Sequence, residues 1–148
     1  YIPVAHKDIQ HVEVGKVKMG VFGNAHRFSQ LEFGKLPFVV PVHPLEGVPT
    51  KAMGLDGWPE SRHPRHVQFR VTALESALTL CREGFAVAYL PGAIVELVNE
   101  TAKTEKKIVE LACPVKIKDR IQPIYMLKRK NEEASKLHKS ISQILRRL

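Results

Sequence analysis

Residues 66–96 (HVQFRVTALESALTLCREGFAVAYLPGAIVE) constrain the fold more than any other stretch, because the hydrophobic period changes twice within them. Val67, Phe69 and Val71 alternate with Gln68 and Arg70, the pattern of a half-buried strand. Thr72, with Glu75 three residues later, reads as a capping box: hydroxyl to backbone N–H, carboxylate back to the cap. Leu74, Ala77, Leu78 and Cys81 then share one helical face, which predicts a helix over 73–83. Gly84 stops it, and Phe85 to Leu90 form a continuous apolar run, as in a strand covered on both faces. Strand 66–71, helix and strand 85–90 together predict a parallel pair joined by a right-handed crossover. Such a unit delivers a helix N-terminus, with N–H groups lacking intrahelical acceptors, to the carboxyl end of a strand. Open α/β sheets bind small and often anionic ligands at that place.

At 148 residues the chain suffices for one domain or two small lobes. Its 44% hydrophobic and 26% charged residues are ordinary for a soluble globular protein. No apolar run approaches the ~20 residues that cross a bilayer. The start, YIPVAHKDIQ, has neither a basic leader nor a cleavage pattern, so a cytoplasmic setting without membrane contact is expected. Tyr1 stands where an initiator Met would, which points to a fragment or a processed product. Cys81 and Cys113 have no metal-like spacing and fit reduced, structural thiols.

The net charge of +8 is uneven: residues 1–102 hold ten basic and ten acidic side chains, residues 103–148 thirteen and five. A basic tail of this kind is either a nucleic-acid surface or a solvated face with cations at a helix end. Tyr125 is the one aromatic residue among these charges, too few to stack bases, and the solvated face is favoured.

Elsewhere, Glu13 to Gly23 reads as a strand with Val17, Met19 and Val21 on one face, and Leu36 to Val40 as a short apolar strand. Between Pro41 and Arg65 the chain is rich in Pro and Gly and predicted irregular. Pro91-Gly92 opens a helix with Ala93, Ile94, Leu97 and Val98 inward; a short strand follows at Ile108 to Leu111 and a longer one at Ile121 to Lys128. A last helix starts at the cap Asn131, with Glu132 and Glu133 in its first turn and Arg146 and Arg147 in its last, and a stripe of Leu137, Ile141, Ile144, Leu145 and Leu148. Alternating strands and helices make the class α/β.

The common nucleotide-binding and hydrolase signatures are absent, so neither an enzyme nor a cofactor is indicated. His63-x-x-His66 lies beside arginines in a Pro-rich loop, which opposes a divalent cation, and no metal site is expected. Trp58 reads as a loop anchor rather than a platform for a ligand. Thr72 carries two readings: a helix cap, or a hydroxyl offered with the neighbouring amides to an anionic ligand.

The order of these pieces resembles the effector-binding domain of LysR-type transcriptional regulators, most closely at VTALESALTLCREGFAVAYLPGAIVEL. Lys107 to Leu111 resembles that family's short strand, Ile121 to Lys130 its return strand and Glu132 to Leu148 its closing helix. VKMGVFGNAHRF resembles the strand that ends in a histidine, although Asn24-Ala25-His26-Arg27-Phe28 departs from the usual Asp-His-Pro-Leu.

The resemblance implies a type 2 periplasmic-binding-protein-like, Rossmann-like lobe with a partial second lobe. In that layout residues 1–35 are a hinge-side strand of the partial first lobe, 36–118 the second lobe, and 119–148 the return strand and C-terminal helix of the first. A small, anionic or polar metabolite is expected between the lobes, contacting Val71, Thr72 and Ala73, with Gly23 and His43 as weaker candidates for the opposite wall. The resemblance further implies a homo-oligomer, and DNA contact only through an N-terminal helix-turn-helix that this chain lacks. A transporter's solute-binding protein of the same fold is the alternative.

Overall fold

β1 (Ile9–Asn24) is the strand on which the other elements are hung. Its first half pairs antiparallel with β6 (Ile121–Arg129), from Ile9 opposite Arg129 to Lys18 opposite Ile121. Its second half takes β4 (Ala88–Pro91) and β5 (Ile108–Glu110) as antiparallel partners. The strands read at 13–23 and 121–128 are therefore neighbours over Glu13 to Lys18, while Met19 to Asn24 pair with β4 and β5. β1 starts four residues before the predicted Glu13, because Ile9 to Val12 find partners in Met126 to Arg129. The register slips between Glu13 and Gly15, and the extra residue, Val14, is fully buried. This computed structural model describes residues 6–42, 56–130 and 136–145. His43, the linker 43–55, the predicted cap Asn131 with Glu132 and Glu133, and residues 146–148 lie outside the described residues.

β2 (Phe38–Pro41) and β3 (Val67–Val71) are parallel. The chain entering β4 joins β2 as well: Val39 N–H donates to the Val87 carbonyl at 2.9 Å and Val87 N–H to that of Pro37 at 2.8 Å, in a parallel bridge. The spatial order is thus β3-β2-β4-β1-β5. α2 (Leu74–Arg82) carries the chain from β3 to β4 with β2 between them, so the predicted strand–helix–strand crossover is present with its strands parallel.

Strand alternation sorts the core into two faces. Met19, Val21, Phe38, Val40, Val87 and Tyr89 pack on one, and Phe22, Val39, Ala86, Ala88 and Leu90 on the other. The second face is covered by Ala77, Leu78 and Cys81 of α2 and Val95 of α3 (Gly92–Glu100). Over the first face lies Trp58, carried by the irregular segment that follows residue 55. Its ring stacks on Phe33 at 5.5 Å and meets Tyr89 edge-on at 5.0 Å, and its indole N–H donates to the His63 carbonyl at 2.6 Å. Trp58 is the loop anchor that the sequence suggested.

Local details differ from expectation in four places. The N-cap of α2 is Ala73, not Thr72, and no side chain caps it. Starting one residue late puts Glu75 at the second helical position instead of the third, so the reciprocal capping box cannot close. Leu74, expected inward, is 43% exposed at the helix start. Phe85 is 60% exposed because it belongs to the helix stop rather than the strand: Gly84 takes φ +73° and Phe85 N–H donates back to the Leu80 carbonyl. In α3 the buried residue is Val95, and Leu97 is 62% exposed, since two residues turn a helix by ~200°.

The remaining elements close the ends. α1 (Ala25–Phe28) is capped by Asn24, whose Oδ1 accepts from His26 N–H at 3.0 Å while Nδ2 donates to the carbonyls of Arg82 and Glu105. In α4 (Lys136–Leu145), Ile141 and Ile144 of the predicted stripe are exposed. Among the described residues no helix is long and apolar enough to cross a membrane, and no three His, Cys, Asp or Glu residues gather as a metal site.

Candidate ligand-binding site

β2, β3 and β4 end side by side at Pro41, Val71 and Pro91, and all three terminal residues border one cavity of about 290 Å³. Thr72, Ala73, Leu74 and Ala77 continue its wall into the first turns of α2. The location follows from topology. Parallel strands end in register on one edge, and the crossover helix begins there with amides that have no intrahelical acceptor. These amides have no side-chain cap either, since Ala73 cannot supply one.

Of the residues expected at the site, the structure brings Val71, Thr72 and Ala73 together in the wall. Thr72 is exposed and free of the capping duty first assigned to it. Gly23 is elsewhere: it is buried, opposite Val109 of β5, and a Cβ there would meet Val87 Cγ1 at 2.7 Å and Phe28 Cδ2 at 3.1 Å. Its lack of a side chain serves close packing. His43 lies outside the described residues.

Sequence reasoning missed Met19, Tyr89 and Asp56 in the wall. Pro41 and Pro91 were a readable signal, because a proline inside an apolar run marks where a strand stops donating to its ladder. Asp56 gave no local signal, for it arrives on the anchored loop. Arg65 fixes it: Nη1 donates to Asp56 Oδ2 at 2.6 Å and Nε to Glu60 Oε1 at 2.8 Å. The guanidinium also lies 5.3 Å from the Phe38 ring centre and 5.2 Å from that of Trp58. Burial pushes the Tyr89 phenol up to about 12, so it stays protonated.

Met19 also borders a second cavity, of about 250 Å³, between β1 and the start of α3. Glu110 in its wall is already committed, to Arg120 Nη1 at 2.6 Å and Lys18 Nζ at 3.3 Å.

No protein-family profile and no curated sequence matches the chain. Solved structures do. The effector-binding domain of a BenM variant superposes with a TM-score of 0.63 at 19% identity, covering 99% of this chain and 67% of that one. The reduced regulatory domain of OxyR2 from Vibrio vulnificus gives 0.65 at 13% identity, with coverages of 97% and 67%. CbnR, a LysR family transcriptional regulator, gives 0.57 at 14% identity, with coverages of 89% and 45%. The chain has the fold of a LysR-type effector-binding domain. That fold is of the type 2 periplasmic-binding-protein-like kind. The chain spans about two thirds of the BenM and OxyR2 domains. Within this effector-domain fold, the cavity occupies the carboxyl edge of the parallel strands.

Proposed function

We propose that this chain is an effector-sensing module of a LysR-type transcriptional regulator, binding a small metabolite at the cavity formed by Pro41, Val71 to Leu74 and Pro91. The observation that carries the reading is the meeting of three strand ends and an uncapped helix start at one cavity, on a fold shared with solved regulatory domains. One of those, the BenM effector-binding domain, binds its effector benzoate. Val71, Thr72 and Ala73 are the ligand contacts in this proposal, and Gly23 supports them only by packing.

The lobe layout inferred from sequence is retained: 36–118 as one lobe, with the 1–35 strand and the 119–148 strand and helix on the hinge side. It is supported by the long β1–β6 ribbon, which joins the two passages of the chain. The regulator acts as a homo-oligomer in the cytoplasm and contacts DNA through a segment other than this one. Exposed Ile121, Tyr125 and Leu127 on one face of β6 support self-association, since uncovered apolar faces attract partners. No catalysis is assigned.

The test is a transcriptional reporter driven by the intact regulator, grown across carbon and nitrogen sources to find the inducing condition. Ala73→Trp, which fills the cavity from an exposed position, is expected to abolish the response while leaving promoter binding intact. An unchanged response in Ala73→Trp overturns the assignment of the cavity.

A further inference from the structure

The cavity wall is chemically lopsided. Among the described lining residues only Asp56, Thr72 and Tyr89 interrupt an otherwise apolar wall, and none is Lys, Arg or His. A second anionic group placed against these described residues would be desolvated without a compensating cation.

Asp56 is the one carboxyl among the described residues of this wall, and its side chain is only 8% exposed. A carboxylate offers about four acceptor positions. Three are filled here: Oδ1 accepts from Trp58 N–H at 3.2 Å and Arg65 Nη2 at 3.3 Å, and Oδ2 from Arg65 Nη1 at 2.6 Å. Among the described residues, nothing fills the remaining lone pair of Oδ2. The carboxylate cannot swing away to water to satisfy it, because Arg65 holds it in a two-pronged grip and is itself buried. At another part of the wall the chemistry is reversed: the Thr72 hydroxyl and the uncapped first amides of α2 are donors.

Resting on the effector reading above, we infer that the ligand is a compact, mainly apolar monoacid carrying a second group that donates a hydrogen bond, a hydroxyl or an amine. The acid lies at the start of α2, the donor at Asp56, and Asp56 is the specificity-determining residue. A cavity of about 290 Å³ suits a ligand of roughly one ring or a short branched chain.

The experiment is calorimetric titration of the intact protein with benzoate, 3- and 4-hydroxybenzoate, isophthalate and terephthalate. One of the hydroxybenzoates is expected to bind about tenfold more tightly than benzoate, the worth of one hydrogen bond to a charged group. The dicarboxylates are expected to bind more weakly than benzoate. Asp56→Asn, checked for folding by thermal unfolding, should cut the hydroxyl preference to about twofold or less. Thr72→Ala should weaken all the monoacids and leave that preference in place. Tighter binding of a dicarboxylate, or no gain from either hydroxyl, overturns the ligand class while leaving the cavity as the sensor's site. Failure of every acid to bind at millimolar concentration overturns it too, and the Ala73→Trp reporter then decides separately whether the sensor reading falls with it.

Discussion

The side-chain amide of Asn99 does for Ile108 what a neighbouring strand would do: Nδ2 donates to the Ile108 carbonyl at 2.8 Å and Oδ1 accepts from its N–H at 3.1 Å. The last turn of α3 is thereby tied to β5, and Ile108 is fully buried. Asn99→Ala leaves both backbone groups without this partner. At about 1–3 kcal/mol for each buried group left unpaired, a loss of about 2–6 kcal/mol is expected. Urea unfolding measures it, and a loss under about 1 kcal/mol contradicts the account.

Gly84 ends α2 with φ +73°, and a Cβ there would stand 2.5 Å from Arg27 Cγ. Gly84→Ala is expected to cost about 1–2 kcal/mol from the left-handed backbone alone, plus the clash. Adding Arg27→Ala removes the clash and should recover only that second part. A double-mutant cycle with no coupling energy refutes the contact.

Burial works against ionisation of Glu110, but hydrogen bonds from Arg120 and Lys18 outweigh it and hold the carboxyl below its ordinary range. A carboxyl depressed in the folded state stabilises the protein above its unfolded pKa, and that stability is lost as pH falls through the folded one. The wild type should lose stability more steeply than Glu110→Gln as pH falls below about 4. Parallel acid-unfolding curves for the two proteins would show that Glu110 contributes nothing.

Desolvation pushes the Cys81 thiol up to about 12 on the buried face of α2. The thiolate is the reactive form. At pH 8 a thiol reagent is expected to leave Cys81 unmodified in the folded protein and to reach it at the rate of unfolding. Prompt modification under native conditions, mapped to Cys81 by mass spectrometry, contradicts this burial.

Because Ala73 is the N-cap, Thr72→Ala is expected to change stability by under about 0.5 kcal/mol, less than the ~1 kcal/mol typical of a lost side-chain cap. In the regulator proposed above the same change should weaken the effector response, and Thr72→Ser, which keeps the hydroxyl, should retain most of it. A full response from Thr72→Ala removes Thr72 from the site.

What the sequence determined by itself is whatever local chemistry specifies. The alternation at Val67 to Val71, the apolar face of Ala77, Leu78 and Cys81, and the stop at Gly84 each follow from a few adjacent residues, and they set the strand–helix–strand unit and the edge on which the cavity opens. The tertiary structure decided everything that depends on a distant partner. β1 reaches back to Ile9 only because β6 is there to pair with it, and Gly23 is spent on packing against Val87 and Phe28. The cap moved from Thr72 to Ala73, a shift of one residue that leaves the apolar face of α2 unchanged and is therefore invisible in its hydrophobic period. Asp56 comes to the cavity because Trp58 and Arg65, on the same loop, are buried against Phe38 and Tyr89. Hydrophobic period and capping rules act over a few residues, whereas a loop's place is set by the core that its anchors find.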